Sequence, residues 1–392
     1  MFHKMPVILI IIIAILVGLD PILPLEFKKI LYGISLSIKS ILVFFLPIII
    51  FGLLFKAVFG MARHATRIIF LILVAVCCSN FFSTFLSQYV GMWVYQFDLS
   101  LVLPKSGNDL EPAFLWMIPN IIPNDKAMFA GIVLGILASF VKNKNFYKLV
   151  EILEKVISKI LGSFTYLIPF FIIGFVLKLQ FDGVIFTIIK DYTLIFAVIA
   201  LAQFIYILGA YFILNTFNMR AFLKNIKNML PAVVTGFSTM SSASAMPLTI
   251  IGVEKNAIHK DLVRSVVPVT VNIHLVGDCF AIPILAFAML KNFGMPEPGI
   301  LTYLMFTLYF VMAKFSVAAI PAGGILVMLP ILETHLGFNG EMMSLITALY
   351  VLFDPVITSA NVLGNGAFAK MIDKVVFRKS RDFLHGAKKG LE

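Results

Sequence analysis

Long apolar runs separated by short polar and basic stretches set the plan of this chain. Runs at about 6–19, 34–59, 68–95, 128–141, 156–179 and 192–214 read as helices through a hydrocarbon core, which takes about 20 mostly apolar residues. The fourth run is short, and the proline-broken stretch "EPAFLWMIPNIIPND" before it could complete the span. Beyond residue 215 the pattern changes. Met229–Ile251 is interrupted by "TMSSASAMPLTI", and Leu301–Leu332 by "AAIPAGGI". Leu262–Leu290 contains Asn272, His274, Gly277, Asp278 and Pro283, and Met342–Ala369 carries Asp354, Pro355, Thr358, Asn361 and Asn365.

Breaks inside apolar runs need a physical account. Each free backbone N–H or C=O in lipid costs several kcal/mol, so irregular backbone survives there only when buried in protein or lining a cavity. Two interrupted segments at corresponding positions point to a midplane binding site between re-entrant hairpins. Residues 229–251 are expected to enter from the cytoplasm with the serines at the tip. Residues 301–332 would enter from outside, with Pro-Ala-Gly-Gly at the tip. The competing reading, two ordinary loops, needs each short arm to cross the bilayer alone. The fold expected is an all-α polytopic membrane protein of eight transmembrane helices and two re-entrant hairpins, with inverted-repeat transporter architecture.

Composition supports this. The chain of 392 residues is 60% hydrophobic and 13% charged, with 39 phenylalanines, which no soluble domain of this size could bury. A net charge of +11 raises the question of nucleic acid, but the basic residues cluster in short loops. Lys4, Lys56, Arg63, Arg67, the lysines from Lys142 to Lys159, Arg220 to Lys227, Lys255 to Arg264 and Lys370 to Lys389 fall on one side if the spans alternate. That is a topology signal, and it sets both termini in the cytoplasm. The opening "MFHKMPVILIIIIAILVGLDPILP" lacks a small-residue cleavage site and reads as the first membrane helix. Cys77, Cys78 and Cys279 lie in apolar segments and suggest neither disulfides nor zinc. No organic cofactor or metal centre is expected.

Several polar residues stand where charge is expensive. Asp354 within a span is a functional candidate by default, the alternative being a cap before Pro355. Ser241 and Ser242 are expected to line a site, whereas Ser238 and Ser244 could serve helix ends. His274 and Asp278 are four apart and would share a face of a continuous helix. A proton-carrying pair and a purely structural polar pair both fit that spacing. Lys314 either snorkels or pairs with an acid.

Taken together, the serine run, the Ile320-Pro321-Ala322-Gly323-Gly324 tip and the Asp354, Asn361, Asn365 spacing resemble the dicarboxylate/amino acid:cation symporters, the glutamate-transporter family. The likeness runs in order over nearly the whole chain. It implies a substrate site at Ser241, Ser242, Ile320, Pro321, Ala322, Asp354, Thr358 and Asn361, with Asp354 taking the amino group and Asn361 the α-carboxylate. It also implies one membrane domain, with a scaffold at about 1–64 and 98–180 and a transport part at about 65–97 and 181–379. A homotrimer in the cell (inner) membrane is implied as well. The departures matter equally. The Asn-Met-Asp-Gly-Thr signature reads His274-Leu275-Val276-Gly277-Asp278, the second acid of the last helix is Asn365, and a Thr-Ser pair of the third span reads Ala75-Val76. The family's sodium-serving positions among these are His274, Val276, Asn365, Ala75 and Val76, so the resemblance favours H+ over Na+ as the coupling cation. His274, Asp278 and Asn365 are the coupling candidates. The arginine that pairs with a substrate's second carboxylate is Ile357, which points to an amino acid with a neutral side chain or a related small carboxylate.

The function expected is secondary active transport by alternating access. A channel, or a degenerate member that transports nothing, remains the alternative. A membrane enzyme using His274, Asp278 or Glu333 lacks any accompanying nucleophile, metal-ligand or phosphate-loop motif.

Overall fold

The computed structural model describes all residues except 1–10, 13, 17, 64–66, 98, 100–109, 120–121, 123, 142, 184, 318–322 and 390–392. Among the described residues the regular structure is helical, as the apolar runs predict. Twelve helices carry the argument: α1 Leu25–Arg63, α2 Arg67–Tyr95, α3 Asn124–Ser139, α4 Lys144–Phe181, α5 Ile185–Leu214 and α6 Met219–Thr239. They are followed by α7 Ser242–Asn256, α8 Lys260–Thr270, α9 Val276–Asn292, α10 Ile300–Lys314, α11 Gly323–Leu336 and α12 Gly340–Lys389. Phe70–Tyr95, Ile188–Leu214 and Gly340–Val375 are long and apolar enough to cross a membrane by length and composition. Shorter apolar helices include Phe129–Ser139, Pro169–Phe181, Ile300–Lys314 and Gly323–Leu336.

The helices pack in two groups. In the first, α1 lies along α3 and α4. Glycines make that approach close: a Cβ on Gly131 would lie 2.8 Å from the Phe51 carbonyl oxygen, and one on Gly135 would lie 2.9 Å from that of Phe55. Side chains add Ser35 Oγ donating to the Phe171 carbonyl, and a Lys56–Glu154 ion pair. The stretch before α3 does not lengthen that helix. Residues 111–119 run without helical structure along α1, with Ala113 N–H donating to Lys29 O and Ile118 N–H to Ser40 Oγ. Pro112 and Pro119 lack the N–H that a helix interior needs, so the segment takes its partners from α1 instead.

The second group is centred on α12, which packs against α5, α6, α7, α8, α9 and α11. Nearly every residue of α12 from Met342 to Ala369 is buried, whereas α2 and α5 each keep an exposed apolar face, with Phe70, Phe82, Leu201 and Ile205 outward. Such outward faces suit lipid. α2 joins this group through α9 and α10, and α6 and α7 pair with each other. Between the groups contacts are sparse among the described residues, involving α1 with α11 and α4 with α12 and α5, plus Lys178 reaching Glu341 at 3.7 Å and the Phe129 ring edge-on to Tyr309 of α10.

The run expected as one span at Leu262–Leu290 is two helices. α8 ends at Thr270, residues 271–275 leave the helix, and α9 starts at Val276. The physical reason lies in the side chains that receive the freed backbone, described below.

The glycine packing yields a direct test. Gly131→Val forces a branched side chain against the α1 backbone, and overpacking of this kind costs about 1–3 kcal/mol. Gly209→Ala, where an added Cβ meets nothing within 4 Å, should leave the melting temperature in detergent level or slightly raised. Gly131→Val should lower it by several degrees. Equal behaviour of the two variants would contradict the close α1–α3 contact.

Candidate functional site

The serine run ends one helix and starts another. α6 stops at Thr239, Met240 takes a left-handed φ of 50°, and α7 begins at Ser242. A side-chain-bearing residue in that region costs roughly 1–2 kcal/mol, and here it makes the reversal in very few residues. Met240 N–H caps α6 by donating to Gly236 O at 2.9 Å, and the Ser244 N–H donates to Ser241 Oγ at 3.3 Å. Ser241 is thus the N-cap of α7, and Ser242 is buried behind it. Ser238 Oγ turns back to Val234 O at 2.8 Å. The open ends of the pair are tied by Asn228 Nδ2 donating to Asn256 Oδ1 at 2.7 Å and Asn256 Nδ2 donating to Asn225 O at 3.0 Å.

α6 runs antiparallel to α12. Gly366 faces Met229, Ser359 Oγ reaches Val233 O at 3.5 Å, and Gly236 lies against Thr358 and Val362. The contacts thus run from Gly366 down to Thr358 as α6 runs up from Met229 to Gly236, three residues before α6 ends.

Asp354 is not a cap. It lies in mid-helix, 3% exposed, and accepts a hydrogen bond from Thr358 Oγ1 at 2.8 Å. Pro355 after it carries no N–H, so α12 lacks one backbone hydrogen bond at that turn while staying helical. Ile357 is wholly buried. Asn361 Oδ1 accepts from the Gly277 N–H at 2.8 Å, tying the first turn of α9 to α12. A side chain at Gly277 would collide with the Ile357 carbonyl, so only glycine allows the two backbones to meet there.

The break at 271–275 is held by two asparagines from opposite sides. Asn80 on α2 donates through Nδ2 to Ile273 O at 2.7 Å, and its Oδ1 accepts from Leu275 N–H at 3.4 Å. Asn365 on α12 donates to His274 O at 3.2 Å. Three backbone groups that a continuous helix would satisfy internally are satisfied by side chains, which is the condition for irregular backbone in an apolar setting. The His274 ring Nε2 lies 2.9 Å from Ser79 Oγ, and the ring packs 4.3 Å from that of Phe368. It also borders a cavity of about 420 Å³ between α2, α5 and α12, which Asp354, Thr358 and Asn361 do not line.

Asp278 has different company. Its Oδ1 accepts from Tyr350 Oη at 2.6 Å and its Oδ2 lies 3.1 Å from Lys314 Nζ. The expectation that His274 and Asp278 share a helix face and touch is therefore corrected. His274 precedes the first turn of α9, so the four-residue spacing is not a helical one, and each side chain takes separate partners. Lys314 is wholly buried and paired with the acid, not snorkelling. Ile320, Pro321 and Ala322 lie outside the described residues, between Lys314 and the start of α11.

Of the sequence-derived candidates, the structure brings Asp354, Thr358 and Asn361 onto one stretch of α12, with the start of α9 bonded to Asn361. Asn365 and His274 meet one turn further on. Asn80, Lys314 and Tyr350 were missed as site residues. For Asn80 a signal existed: Ser79, Asn80, Ser83, Thr84, Ser87 and Gln88 repeat at three and four residues within an apolar span. That is a polar stripe on one face of α2, and Asn80, Ser83, Thr84, Ser87 and Gln88 are all buried.

Asn80→Leu removes partners of both Ile273 O and Leu275 N–H, and leaving such buried groups unmet costs about 1–3 kcal/mol each. Hydrogen–deuterium exchange in detergent should show faster exchange of the Leu275 amide and a lower melting temperature. Unchanged exchange across 271–276 would mean that Asn80 does not hold the break.

Residues 5–375 match the Sodium:dicarboxylate symporter family. Excitatory amino acid transporter 1 of Rattus norvegicus is 29% identical over 210 residues, covering 53% of this chain and 37% of that protein. Excitatory amino acid transporter 2 of Homo sapiens is 31% identical over 165 residues, 41% of this chain and 28% of its own. The excitatory amino acid transporter of Onchocerca volvulus is 29% identical over 150 residues, 38% and 30% respectively. The matched region thus spans well under half the length of these relatives. With a family match over almost its whole length and helices apolar enough to cross a bilayer, the chain is an integral membrane protein and belongs to the sodium:dicarboxylate symporter family.

Proposed function

We propose that this protein is a secondary transporter that moves an amino acid with a neutral side chain, or a related small carboxylate, across the membrane by alternating access. The observation that carries the reading is Asp354. It is a carboxylate 3% exposed in a largely buried helix and hydrogen-bonded to Thr358. A charge in that position is costly unless it has a use, and a substrate's ammonium group is the chemistry it suits. The α7 N-terminus, capped at Ser241, offers backbone N–H groups of the kind that attract a carboxylate.

The preference for a neutral side chain is supported by what surrounds the site. Ile357 is apolar and wholly buried, Arg220 and Arg264 are exposed with Arg264 paired to Glu254, and the ammonium of Lys314 is already matched by Asp278. A second substrate carboxylate would need a cation of its own. Proton carriage by a His274–Asp278 pair is not part of this proposal, because the two do not meet.

The two packing groups support a division of labour. The α1, α3, α4 group is the scaffold, at about 1–64 and 98–180. The α12-centred group, about 65–97 and 181–379, is the part that moves, with α6–α7 and α10–α11 as re-entrant hairpins alongside eight spans. Both termini are cytoplasmic and the membrane is the cell (inner) membrane. Assembly is as a homotrimer, as the family resemblance implies.

Two measurements test this. A panel of amino acids in a thermal-shift assay of the purified protein should identify a ligand with a neutral side chain. Asp354→Asn should abolish its binding, since losing one partner of a buried charge pair costs about 3–5 kcal/mol, and Ile357→Arg should move preference toward an acidic amino acid. A wild-type preference for aspartate or glutamate would refute the substrate assignment. In a cysteine-free background, Glu341→Cys should react with an impermeant reagent from outside and Lys255→Cys only from inside. Labelling of both from one side would refute the topology.

A further inference from the structure

A cleft separates α2 from α5. Both helices pack on α9, yet they barely meet each other, and the cavity of about 420 Å³ that borders His274 lies between them. Its wall on α5 includes Ile205, Gly209 and Ile213, which four-residue spacing stacks on one face. Ile205 and Ile213 are exposed and form the rim. Gly209 between them leaves the side open, since an added Cβ there would meet nothing within 4 Å. Because α5 is one of the helices apolar enough to cross a membrane, this mouth opens onto hydrocarbon. The wall is largely apolar, and at its inner end Ser79 Oγ and His274 Nε2 are paired at 2.9 Å.

The cleft has a length and a charged end. From Ile205 to Leu214 a helix rises roughly 13 Å, close to half of a hydrocarbon core of about 30 Å. The cleft is therefore about one leaflet deep. On α12 its lining residues Gly364, Ala367, Phe368 and Met371 repeat at three and four residues, and the next position of that row is Lys374. On α5 the row through Gly209 and Ile213 leads to Phe217, exposed in the turn before α6, and Arg220 is exposed in the first turn of α6. Lys370 is committed to Asn215 and Asn225. Asp373, the acid beside Lys374, is buried and accepts from Ile258 and His259. An apolar trough open to lipid thus ends in two basic residues at the end of the span, where headgroups lie.

We propose that this cleft binds one anionic phospholipid of the surrounding bilayer, with an acyl chain along α5 from Leu214 to Ile205 and the phosphate at Lys374 and Arg220. The chain supplies the packing that α2 and α5 do not give each other, so the lipid is a structural part of the α12 group. Basic residues at this level attract anionic headgroups, whereas a zwitterionic lipid brings its own cation to the phosphate. The stability of the α12 group then follows membrane composition. The proposal needs only that the chain spans a membrane, and it holds whatever the substrate is.

The experiment is thermal unfolding of the purified full-length chain in an uncharged detergent, with phosphatidylglycerol or phosphatidylcholine of equal chain length added. A ligand held only by the folded state raises the melting temperature. In wild type phosphatidylglycerol should raise it by several degrees and phosphatidylcholine by less than half as much. Gly209→Leu fills the trough with a side chain that favours helix. It should melt cooperatively and lose the advantage of phosphatidylglycerol. Lys374→Gln combined with Arg220→Gln should lose it too, while Lys148→Gln on α4 should behave as wild type. Equal shifts by the two lipids in wild type overturn the proposal. So does an undiminished phosphatidylglycerol advantage in either the filled or the double variant, which would place the lipid elsewhere. Should Gly209→Leu not melt cooperatively, mass measurement of wild type with an equal mixture of the two lipids decides. One phosphatidylglycerol retained per chain, and lost in the double variant, sustains the proposal. No lipid retained, or both retained alike, overturns it.

Discussion

Broken backbone in an apolar environment is the constraint on which the rest of this structure depends. A helix that stops inside a membrane domain releases N–H and C=O groups that water cannot reach. At 271–275 the groups go to Asn80 and Asn365, and at Gly277 to Asn361. These three side chains come from α2 and α12, so the break can exist only when both helices are in place around it. Helices α8 and α9, on either side of the break, are thereby tied to α12, and the polar stripe of α2 acquires a structural cause.

The same constraint explains where charge collects. Once backbone is unwound and held by side chains, polar groups can be buried next to it at lower cost than in a continuous lipid-facing helix. Asp354 directly precedes Pro355 within α12, and Asp278 lies in the first turn of α9, directly after a break. Each acid has nearby hydroxyl or ammonium partners, Thr358 for one and Tyr350 with Lys314 for the other. At the opposite end of α12, Lys370 donates to Asn215 and Asn225, while Asp373 accepts from Ile258 and His259. These contacts fix the open ends of α6, α7 and α8 to the same helix. The α12 group is thus internally cross-tied, whereas its contacts with the α1, α3, α4 group are sparse.

Much of this was legible in the sequence because polar residues in apolar runs are visible one at a time. The serine run marked the α6–α7 break, and the Asp354, Thr358, Asn361 and Asn365 spacing marked the buried face of α12. What could not be read was pairing across segments. Lys314 and Asp278 belong to different helices, and nothing in their local sequence states that they meet. The His274–Asp278 contact was expected from four-residue spacing, which holds only within one helix, and the helix starts after His274. Asn80 shows the converse case. Its stripe was visible, but its task depends on backbone groups nearly two hundred positions away. The proline-rich stretch before α3 similarly looked like part of a span, and instead takes its hydrogen bonds from α1.

Under the proposed transport function the protein should move as two bodies, since the α12 group holds together through buried polar ties and meets its neighbour through few contacts. Distance distributions between spin labels test that most directly. One pair, Lys155→Cys with Lys255→Cys, spans the two groups. The other, Met219→Cys with Lys255→Cys, lies within the α12 group. On adding an amino acid that shifts the melting transition, the first distance should change by several ångströms or split into two populations. The second should stay single and unchanged. A fixed first distance together with a changing second one would mean that the α12 group deforms internally and does not move as a unit, which contradicts this account.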